Sequence, residues 1–240
     1  MIILAHDFET TGVDTAVCGV VQYAVAILEL GQDAQGNVTV SVLEQHKNEV
    51  NPGHSIPEAC TKVHGLTDAD VADAVHWRTE LKALYSLLFD AYPIEMVMGY
   101  NNRNYDDPIA YRAEMPRLPS FDLYDYGRHL KAQKQADNAK LTTVYQHVTG
   151  KELSGAHDAM VDISACVELI PQLAAMYGHS LAEMVDFATP NINPDALVGF
   201  GKHANVAIKN LPVGYANWVL DNSYKMPRDV VATLKALRAR

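Results

Sequence analysis

Two acidic residues stand two positions apart directly after the first apolar stretch of this 240-residue chain. Residues 2–5 form a continuous apolar run, typical of a strand buried on both faces, and Asp7 and Glu9 follow it. Side chains two apart on a strand leave the same face, so both carboxylates can address one site. The chain then reaches Gly12, where a turn lets the backbone approach a ligand closely.

A second polar cluster opens a predicted helix after the apolar residues 94–98. Residues 101–107 hold three amides, two carboxylates and one aromatic ring. One Asp or Asn is enough to cap the free amides of a helix, and Pro108 suits its first turn. Capping therefore explains only part of this cluster, and we assign Asp106 as a third carboxylate ligand.

His157 and Asp162 lie at the start of a long apolar segment that we predict to be a helix. Five residues of helix turn through about 500°, so the two side chains converge only if His157 precedes the helix. Gly155 and Ala156 favour a loop there. A single histidine at such a place is more often a surface or capping residue, but here it accompanies three candidate carboxylates.

These side chains need a frame of strands and helices. The apolar and alternating segments predict strands at residues 2–9, 20–30, 38–43 and 94–98. Short helical turns are predicted at residues 58–64 and 68–74. Helices are predicted at residues 79–92, in two segments that end at about residues 114 and 130, and at residues 138–148 and 158–177. Pro171 is expected to kink or break the last helix. This order predicts an α/β fold, with a mixed sheet flanked by helices.

The chain is expected to consist of two parts. Residues 189–199 are rich in loop-forming proline and glycine, and we interpret them as a linker. They separate a domain at residues 1–188 from a small, mainly helical module at residues 200–240. Within this module we predict one helix at about residues 212–220 and a basic helix that begins at about residue 227.

The net charge of −10 is unevenly distributed along the chain. Residues 1–100 hold 4 basic and 14 acidic residues, residues 101–200 hold 8 and 13, and residues 201–240 hold 7 and 2. A polyanion gains affinity from lysines and arginines that release its counterions. The acidic body is therefore either a solvated surface or a collector of divalent cations, while the basic tail suits a polyanion.

Composition excludes several protein classes. With 48% hydrophobic and 20% charged residues, the chain is not collagen-like, disordered or a coiled coil. The uncharged apolar run at about residues 18–28 is shorter than the roughly 18 residues of a membrane-spanning helix. We see no secretory signal, so we expect no membrane partner and a cytoplasmic location. The three cysteines are far apart and fit neither a zinc site nor a disulfide framework.

The polar clusters resemble the exonuclease motifs of the DnaQ-like (DEDD) superfamily. The matching segments are Asp7-Phe8-Glu9-Thr10-Thr11-Gly12, Asn102-x-x-Tyr105-Asp106 and Ala156-His157-Asp158-Ala159-x-x-Asp162. Because the last motif contains a histidine, the chain resembles the DEDDh branch of this superfamily. That branch includes the proofreading subunit of the bacterial replicative polymerase, exonuclease X and exonuclease I. Residues 50–67 also match a segment of those enzymes, so the resemblance covers about residues 1–180.

The resemblance implies a ribonuclease H-like fold and the removal of mononucleotides from 3′ ends. It implies that the metal ligands are Asp7, Glu9, Asp106 and Asp162, and that His157 is the general base. Asp106 rather than Asp107 fits the motif because an aromatic residue precedes it. The substrate-binding residues implied in the same way are Thr11, Gly12, His64, Asn102 and Tyr105.

The chemistry of these groups leads to the same reaction. Four converging carboxylates have raised pKa values and destabilise a site unless cations neutralise them. Oxygen ligands suit Mg²⁺ or Mn²⁺, and two such ions about 4 Å apart can clamp a phosphodiester. A histidine, with an ordinary pKa near 6.5, can take the proton of the attacking water at neutral pH. We therefore expect two Mg²⁺ or Mn²⁺ ions and metal-assisted phosphodiester hydrolysis.

The C-terminal residues resemble, more weakly, a short module of some exonuclease X-like proteins. The matching residues are Phe200-Gly201-Lys202-His203, Leu211-Pro212, Tyr215 and Trp218-Val219-Leu220. One interpretation is a packed helical appendage with Trp218 and Leu220 in its core. The other is a nucleic-acid contact through basic side chains, namely Lys202, His203, Lys209, Lys225, Arg228, Lys235 and Arg238.

The sequence thus predicts a 3′–5′ exonuclease that acts on nucleic acid, with single-stranded 3′ ends of DNA as the favoured substrate. RNA stays open, because contacts to the 2′-hydroxyl are not visible in these motifs. A non-catalytic nucleic-acid-binding adaptor and a metal-dependent phosphatase are the alternatives. The presence of all four carboxylates and the histidine argues against an adaptor, and a phosphatase gives no reason for residues 102–106.

Overall fold

A five-stranded mixed sheet forms the centre of the larger of two compact units. The structure is a computed structural model, and it describes residues 1–223 and 226–238, apart from the side chain of Arg228. The strands are β1 Ile2–Thr10, β2 Val20–Gln32, β3 Val38–Glu49, β4 Met96–Gly99 and β5 Ser120–Asp122. Their spatial order is β3-β2-β1-β4-β5. β2 pairs antiparallel with both β1 and β3, and β4 pairs parallel with both β1 and β5. The predicted α/β fold with a mixed sheet is confirmed.

The central strand β1 divides its side chains between two hydrophobic cores. Ile3 and Ala5 belong to one core, and Leu4 belongs to the core on the opposite face. This follows from the alternation of side chains along a strand. Asp7 and Glu9 continue the odd-numbered series, so both carboxylates leave β1 on the face of Ile3 and Ala5.

Helices cover both faces of the sheet. The helices described in this unit are α1 Glu58–His64, α2 Trp77–Ala91, α3 Asp106–Tyr111, α4 Tyr124–Ala132, α5 Leu141–Thr149, α6 Ala159–Tyr177 and α7 Leu181–Ala188. Residues of α2 and α3 pack into the core of Leu4, and residues of α4 to α7 pack into the core of Ile3. The carboxylates of β1 therefore face the layer that contains α6.

The longest helix, α6, runs without interruption although Pro171 lies inside it. The sequence predicts a kink or a break at this proline, and no break occurs, because a single helix includes the residues on both sides of it. Proline cannot donate a hydrogen bond to the carbonyl of Val167. Leu169, Ile170 and Leu173 are fully buried around it, and this packing outweighs one missing hydrogen bond.

By length and composition, α6 could also cross a membrane, and no other helix described in residues 1–223 and 226–238 passes that test. The core helix of a globular unit has the same properties. Here α6 lies against β1, β2 and β3 and contributes buried residues to their shared core. Its apolar composition is accounted for by this packing.

Residues 68–74 form turns, in agreement with the short helical turns predicted there. The carboxylate of Asp70 accepts the backbone N–H of Thr67 at 2.7 Å. The carboxylate of Asp68 accepts the backbone N–H of Ile56, also at 2.7 Å. Short acidic side chains that bind nearby backbone amides compete with helix formation, which explains why the turns do not extend into a helix.

Two strands differ from the sequence prediction. β3 continues to Glu49, beyond the predicted end at residue 43, as a largely polar edge strand paired with β2. β5 was not predicted, because three residues carry no readable alternation. It forms through its parallel pairing with β4.

The second unit, Thr189–Arg240, has its own hydrophobic core. Its helices are α8 Val213–Asp221 and α9 Arg228–Arg238. Val198 is fully buried in this core together with Val219. The segment 189–199, expected as a linker, thus contributes to the packing of the second unit.

Candidate active site

The end of β1 places two carboxylates on the face that α6 covers. The pairing of β1 with β2 shifts register between Glu9 and Thr10, so the strand becomes irregular directly after the acidic pair. Glu9 is buried, and Asp7 is half-buried. These positions bring negative charge to the margin of a hydrophobic core.

The loop between β4 and α3 presents Asp106 at the same place. Asn101 adopts a left-handed conformation with φ of 65°, which asparagine tolerates better than most residues. The carboxylate of Asp122 on β5 accepts the backbone N–H groups of Asn101 at 2.7 Å and Arg103 at 3.3 Å. Asp106 is buried, and its Oδ1 accepts the backbone N–H of Phe8 at 3.1 Å, which fixes it against β1.

Asp107 points away from this site. Its Oδ1 lies 2.8 Å from Nε2 of the buried His6, on the other face of β1. The same oxygen accepts a hydrogen bond from Nδ2 of Asn102 at 3.0 Å. The doubled Asp106-Asp107 pair is thereby divided into one residue at the site and one in the interior.

His157 precedes α6, as convergence with Asp162 requires. Its φ of 71° turns the chain, and its backbone N–H donates to Oδ2 of Asp162 at 3.3 Å. Asp158 is the N-cap, and its Oδ1 accepts the backbone N–H groups of Met160 at 3.1 Å and Val161 at 3.4 Å. An N-cap in this position satisfies free amides at the helix start.

Two strands of the sheet hold this helix start. Gln22 on β2 accepts the backbone N–H of Ala159 at 3.0 Å and donates to Glu49 at 3.1 Å. Lys47 on β3 forms a short ion pair with Asp158. The loop that carries His157 is therefore attached to β2 and β3, and the sequence did not indicate any of these contacts.

The acidic and imidazole groups converge. Ligand atoms of Glu9, His157 and Asp162 all lie within 4.8 Å of one another. Asp7, Asp106 and these three residues line one cavity of about 300 Å³. The structure thus brings together the four carboxylates and the histidine that the sequence selected.

Proton affinity at the site is raised. Burial, followed by the charges of Asp106 and Asp162, raises the pKa of Asp7 well above its usual range. Burial and the charge of Asp162 raise the pKa of Glu9 to about 8. Burial and the charge of Asp107 raise the pKa of Asp106, and burial raises the pKa of Asp162 to about 6. Desolvated like charges favour the neutral form unless cations are present.

The donor set fits divalent cations. Oδ1 of Asp162 is buried and has no hydrogen-bond partner among the described residues. Among the described residues, no lysine or arginine lines the cavity, so no permanently charged cationic side chain balances the carboxylates there. Carboxylate oxygens are the ligands that Mg²⁺ and Mn²⁺ prefer. A group of carboxylates with one histidine could therefore hold a metal ion here.

Three of the five residues expected to bind substrate line the cavity, namely Gly12, His64 and Tyr105. The hydroxyl of Tyr105 donates to the carbonyl of Gly12 at 2.7 Å, which holds the turn after β1. Burial lowers the pKa of His64 below its usual value. Ala59 and Val63 of α1 form an apolar wall of the cavity that the sequence did not indicate.

Thr11 and Asn102 are buried outside the lining of this cavity. The hydroxyl of Thr11 accepts the backbone N–H of Gly19 at 2.9 Å and lies 2.8 Å from Nε2 of His54. Asn102 is fully buried, and its Nδ2 bonds Asp107 and, at 2.9 Å, Oγ of Ser120. Both side chains maintain the loops around the site in this structure.

The sequence missed a buried network beneath the loop of Asp106. Arg103 pairs with Asp125 at 3.0 Å and donates to the carbonyl of Ala188 at 2.6 Å. Burial raises the pKa of Asp122, which carries this loop, to about 6. The signal available in the sequence was the acidic pair at residues 122 and 125, which stands where the predicted helix that ends near residue 130 begins.

The candidate basic contacts belong to the second unit. Lys202 and Lys209 are exposed, and Lys209 pairs with Asp195 at 2.5 Å. His203 packs against Tyr215, with ring centroids 4.5 Å apart. Lys235 and Arg238 lie on α9, and Arg238 forms a short hydrogen bond with Asn217. Lys225 and the side chain of Arg228 lie outside the described residues.

This chain is similar in sequence to part of bacterial DNA polymerases. PolC-type DNA polymerase III of Streptococcus pyogenes is 25% identical over 224 residues, and that of Streptococcus pneumoniae is 26% identical over 227 residues. Each alignment covers 89% of this chain and 14% of the polymerase. The chain therefore matches a small part of these long proteins.

Two solved structures share the fold. The zinc-bound form of Escherichia coli exonuclease I in complex with single-stranded DNA aligns with a TM-score of 0.58 and 21% identity, over 78% of this chain and 42% of that one. Exonuclease X in complex with 5′-overhanging duplex DNA aligns with a TM-score of 0.55 and 18% identity, over 78% of this chain and 99% of that one. The ribonuclease H-like fold is confirmed.

The family model gives the decisive match. The model named RNase_T, described as exonuclease, matches residues 4–170, which include every acidic residue of the cavity and His157. The predicted resemblance to DnaQ-like exonucleases is confirmed by this match and by the PolC relatives. On these grounds the chain belongs to the RNase_T family of exonucleases.

Proposed function

We propose that this protein is a metal-dependent 3′–5′ exonuclease that hydrolyses phosphodiester bonds and releases nucleoside monophosphates. The observation that carries the proposal is the convergence of Asp7, Glu9, Asp106 and Asp162 beside His157 in one cavity. Membership of an exonuclease family makes a nuclease the expected hydrolase. The 3′–5′ direction is supported by the resemblance to the DEDDh branch.

The four carboxylates would hold two Mg²⁺ or Mn²⁺ ions. Such ions, when bound, stabilise the charge that develops on the scissile phosphate and increase the acidity of the attacking water. His157 is exposed, so an imidazole nitrogen can accept the proton of this water and pass it to solvent. The attachment of the His157 loop to Asp162 keeps the base beside the ligands.

The wall of the cavity is suited to the terminal nucleoside. Tyr105 offers an aromatic ring, and Ala59 and Val63 offer apolar surface against which a base or sugar can pack. Burial lowers the pKa of His64, which favours the neutral imidazole, and this ring can form hydrogen bonds with polar groups of the nucleoside. We expect these side chains to orient the 3′ end.

DNA is the favoured substrate. The PolC-type relatives are DNA polymerases, and the structures of exonuclease I and exonuclease X named above contain DNA. An exoribonuclease or oligoribonuclease is the catalytic alternative, and a nucleic-acid-binding adaptor is the non-catalytic one. We place the activity in the cytoplasm, as expected from the sequence.

The test uses single strands of DNA and RNA of the same sequence, labelled at either end, with Mg²⁺, Mn²⁺ or EDTA. We expect stepwise loss from the 3′ end of DNA, no loss in EDTA, and slower loss of RNA. Faster loss of RNA would reassign the substrate to RNA. Strands that are bound but stay intact with each metal would replace the proposed activity with the adaptor function.

Two variants assign roles within the site, and a third variant is their control. Asp7→Ala should abolish hydrolysis, and His157→Ala should slow it by about 10²–10⁴-fold. His157→Ala should still gain thermal stability from Mg²⁺, because the carboxylates hold the ions; loss of that gain would make His157 a ligand. Asp90→Asn removes an exposed carboxylate of α2 outside the cavity and serves as the control.

A further inference from the structure

Trp218 is exposed in the second unit. The sequence favoured Trp218 as part of this unit's core, but 46% of its surface is accessible to solvent. The core instead contains neighbouring residues of α8, with Ala216 and Val219 buried. A large aromatic ring that a small unit leaves in water, although apolar positions lie next to it, suggests contact with a ligand.

A second ring supports this tryptophan. Tyr215 precedes Trp218 by three residues, so both lie on one side of α8. Their rings stack, with centroids 5.3 Å apart and an interplanar angle of 26°. Gly201, with φ of 66°, makes room for Tyr215, because a Cβ there would lie 2.3 Å from the tyrosine hydroxyl oxygen. The stacked pair is therefore built into the unit.

Positive charge borders the pair. Nζ of Lys202 lies 5.8 Å from the centroid of the Tyr215 ring. His203 contacts the same ring edge-on. Residues 189–240 hold 7 basic and 3 acidic residues, in contrast to the acidic remainder of the chain. Flat aromatic surface next to a lysine matches the π-face and phosphate of a nucleotide.

We propose that Trp218, Tyr215 and Lys202 form a second nucleic-acid site, the Trp218 platform, on which a base of single-stranded nucleic acid stacks. The platform rests on the proposed function, because an exonuclease that acts on polymers gains from holding the strand outside its cavity. A base would stack on the exposed surface of Trp218, and the Lys202 ammonium would contact a neighbouring phosphate. Stacking of this kind is largely independent of base sequence.

The charges around Trp218 favour stacking over phosphate contacts at this residue. Asp221 follows Trp218 by one helical turn and would repel a phosphate placed there. Lys202 lies on the side of Tyr215, so the strand is expected to direct its phosphate towards Lys202. This geometry predicts that Asp221→Asn strengthens strand binding and that Lys202→Gln weakens it and lowers its salt dependence.

Intrinsic fluorescence tests the platform directly. The chain has two tryptophans, and Trp77 is 1% exposed, so Trp218 is the one that a stacked base can quench. Oligo(dT) is titrated into the full chain in EDTA, which keeps the strand intact. We expect quenching that saturates with binding, and about tenfold weaker binding of Trp218→Ala, measured by fluorescence anisotropy of labelled oligo(dT). Trp218→Phe, which keeps a ring, should retain most of the affinity.

Controls separate this site from the active site. Val213→Ala removes another exposed apolar side chain of α8 and should bind oligo(dT) as the unaltered chain does. The p-nitrophenyl ester of thymidine 5′-monophosphate carries a single nucleotide, so its hydrolysis with Mn²⁺ should need only the cavity, and Trp218→Ala should hydrolyse it at the normal rate. Three results would each overturn the platform. Trp218→Ala could bind oligo(dT) as tightly as the unaltered chain, oligo(dT) could fail to quench the fluorescence, or Trp218→Ala could lose ester hydrolysis to the same extent as it loses oligo(dT) binding. Because titrations in EDTA need no hydrolysis, failure of the proposed activity would be recognised separately.

Discussion

At the scale of single residues, Asp106 and Asp107 show how position decides the behaviour of identical side chains. Asp106 lines the same cavity as Asp7, and burial, followed by the charge of Asp107, raises its pKa. Burial alone would raise the pKa of Asp107, but its hydrogen bond and ion pair with His6 lower it overall. Successive residues at a helix start point about 100° apart, which sends the two carboxylates to different surroundings.

Substitution should separate these two roles. Asp106→Asn should abolish hydrolysis and preserve folding, because a carboxylate ligand is lost but the amide still fills its space. Asp107→Ala should lower the free energy of unfolding by about 3 kcal/mol, since it leaves the buried His6 without its partner. Urea unfolding and strand hydrolysis measure both effects. Equal loss of stability in the two variants would contradict this division.

Glu9 makes the stability of the metal-free protein depend on pH. Its pKa rises from an ordinary 4.5 to about 8, so the folded chain binds more protons than the unfolded chain between these values. By linkage, stability present at low pH is lost as pH rises through this window. Glu9→Gln should flatten this decline and raise the Tm of the metal-free protein at pH 8 by about 3 °C.

The same variant should gain less from Mg²⁺, because one ligand is missing. Thermal scans at pH 5.5 and pH 8, with EDTA or Mg²⁺, measure both parts of the prediction. Mg²⁺ should raise the Tm of the unaltered chain more at pH 8 than at pH 5.5, because more of its carboxylates are ionised at pH 8. An unchanged pH slope in Glu9→Gln would contradict the assignment of the decline to this residue.

The sequence predicted the acidic residues of the site because spacing alone determines that Asp7 and Glu9 share a face. It did not predict the hydrogen bonds that join the side chains of Thr11 and Asn102 to His54 and Ser120. Burial and partners of this kind depend on packing between segments far apart in the chain. For the same reason, the support from Asp122 became apparent only in the folded protein.

At the scale of elements, the start of α6 depends on the strands beside it. Lys47 of β3 reaches the N-cap Asp158, which follows His157 directly. Lys47→Met should release this end and lower kcat about tenfold, as loss of an outer contact to a metal site commonly does. KM should change little, because Lys47 does not line the cavity.

Two further variants make the role of Lys47 specific. Lys47→Arg should restore kcat, since it can pair with Asp158. Lys62→Met removes an exposed ion pair with Glu58 within α1 and should leave kcat unchanged. A loss of kcat in Lys62→Met as large as in Lys47→Met would contradict the role of Lys47 in holding the His157 loop.

Elements with a strong pattern were predictable, and short or strained ones were not. β1, β2 and α2 follow from apolar runs and helical spacing. β5 is defined only by its parallel pairing with β4. In this case a tertiary contact, and not local propensity, determines the strand.

At the scale of the whole molecule, the acidic cavity and the excess of basic residues lie in different units. The larger unit holds the acidic cavity, and the smaller one holds the excess of basic residues. A chain limited to residues 1–188 should retain hydrolysis of the small ester, bind long strands more weakly and show a lower salt dependence of binding. Filter binding at 50 and 200 mM salt measures this change. Unchanged affinity would make the second unit a structural appendage.

The alternation along β1 has a consequence for how this chain can change in length. Odd-numbered residues face the core of Ile3 and then the cavity, while even-numbered residues face the opposite core. Deleting one residue between Ile3 and Asp7 would therefore exchange the faces and direct Phe8, instead of the acids, towards the cavity. Insertions or deletions between Ile3 and Asp7 keep the two acids on the face of the cavity only when they involve an even number of residues.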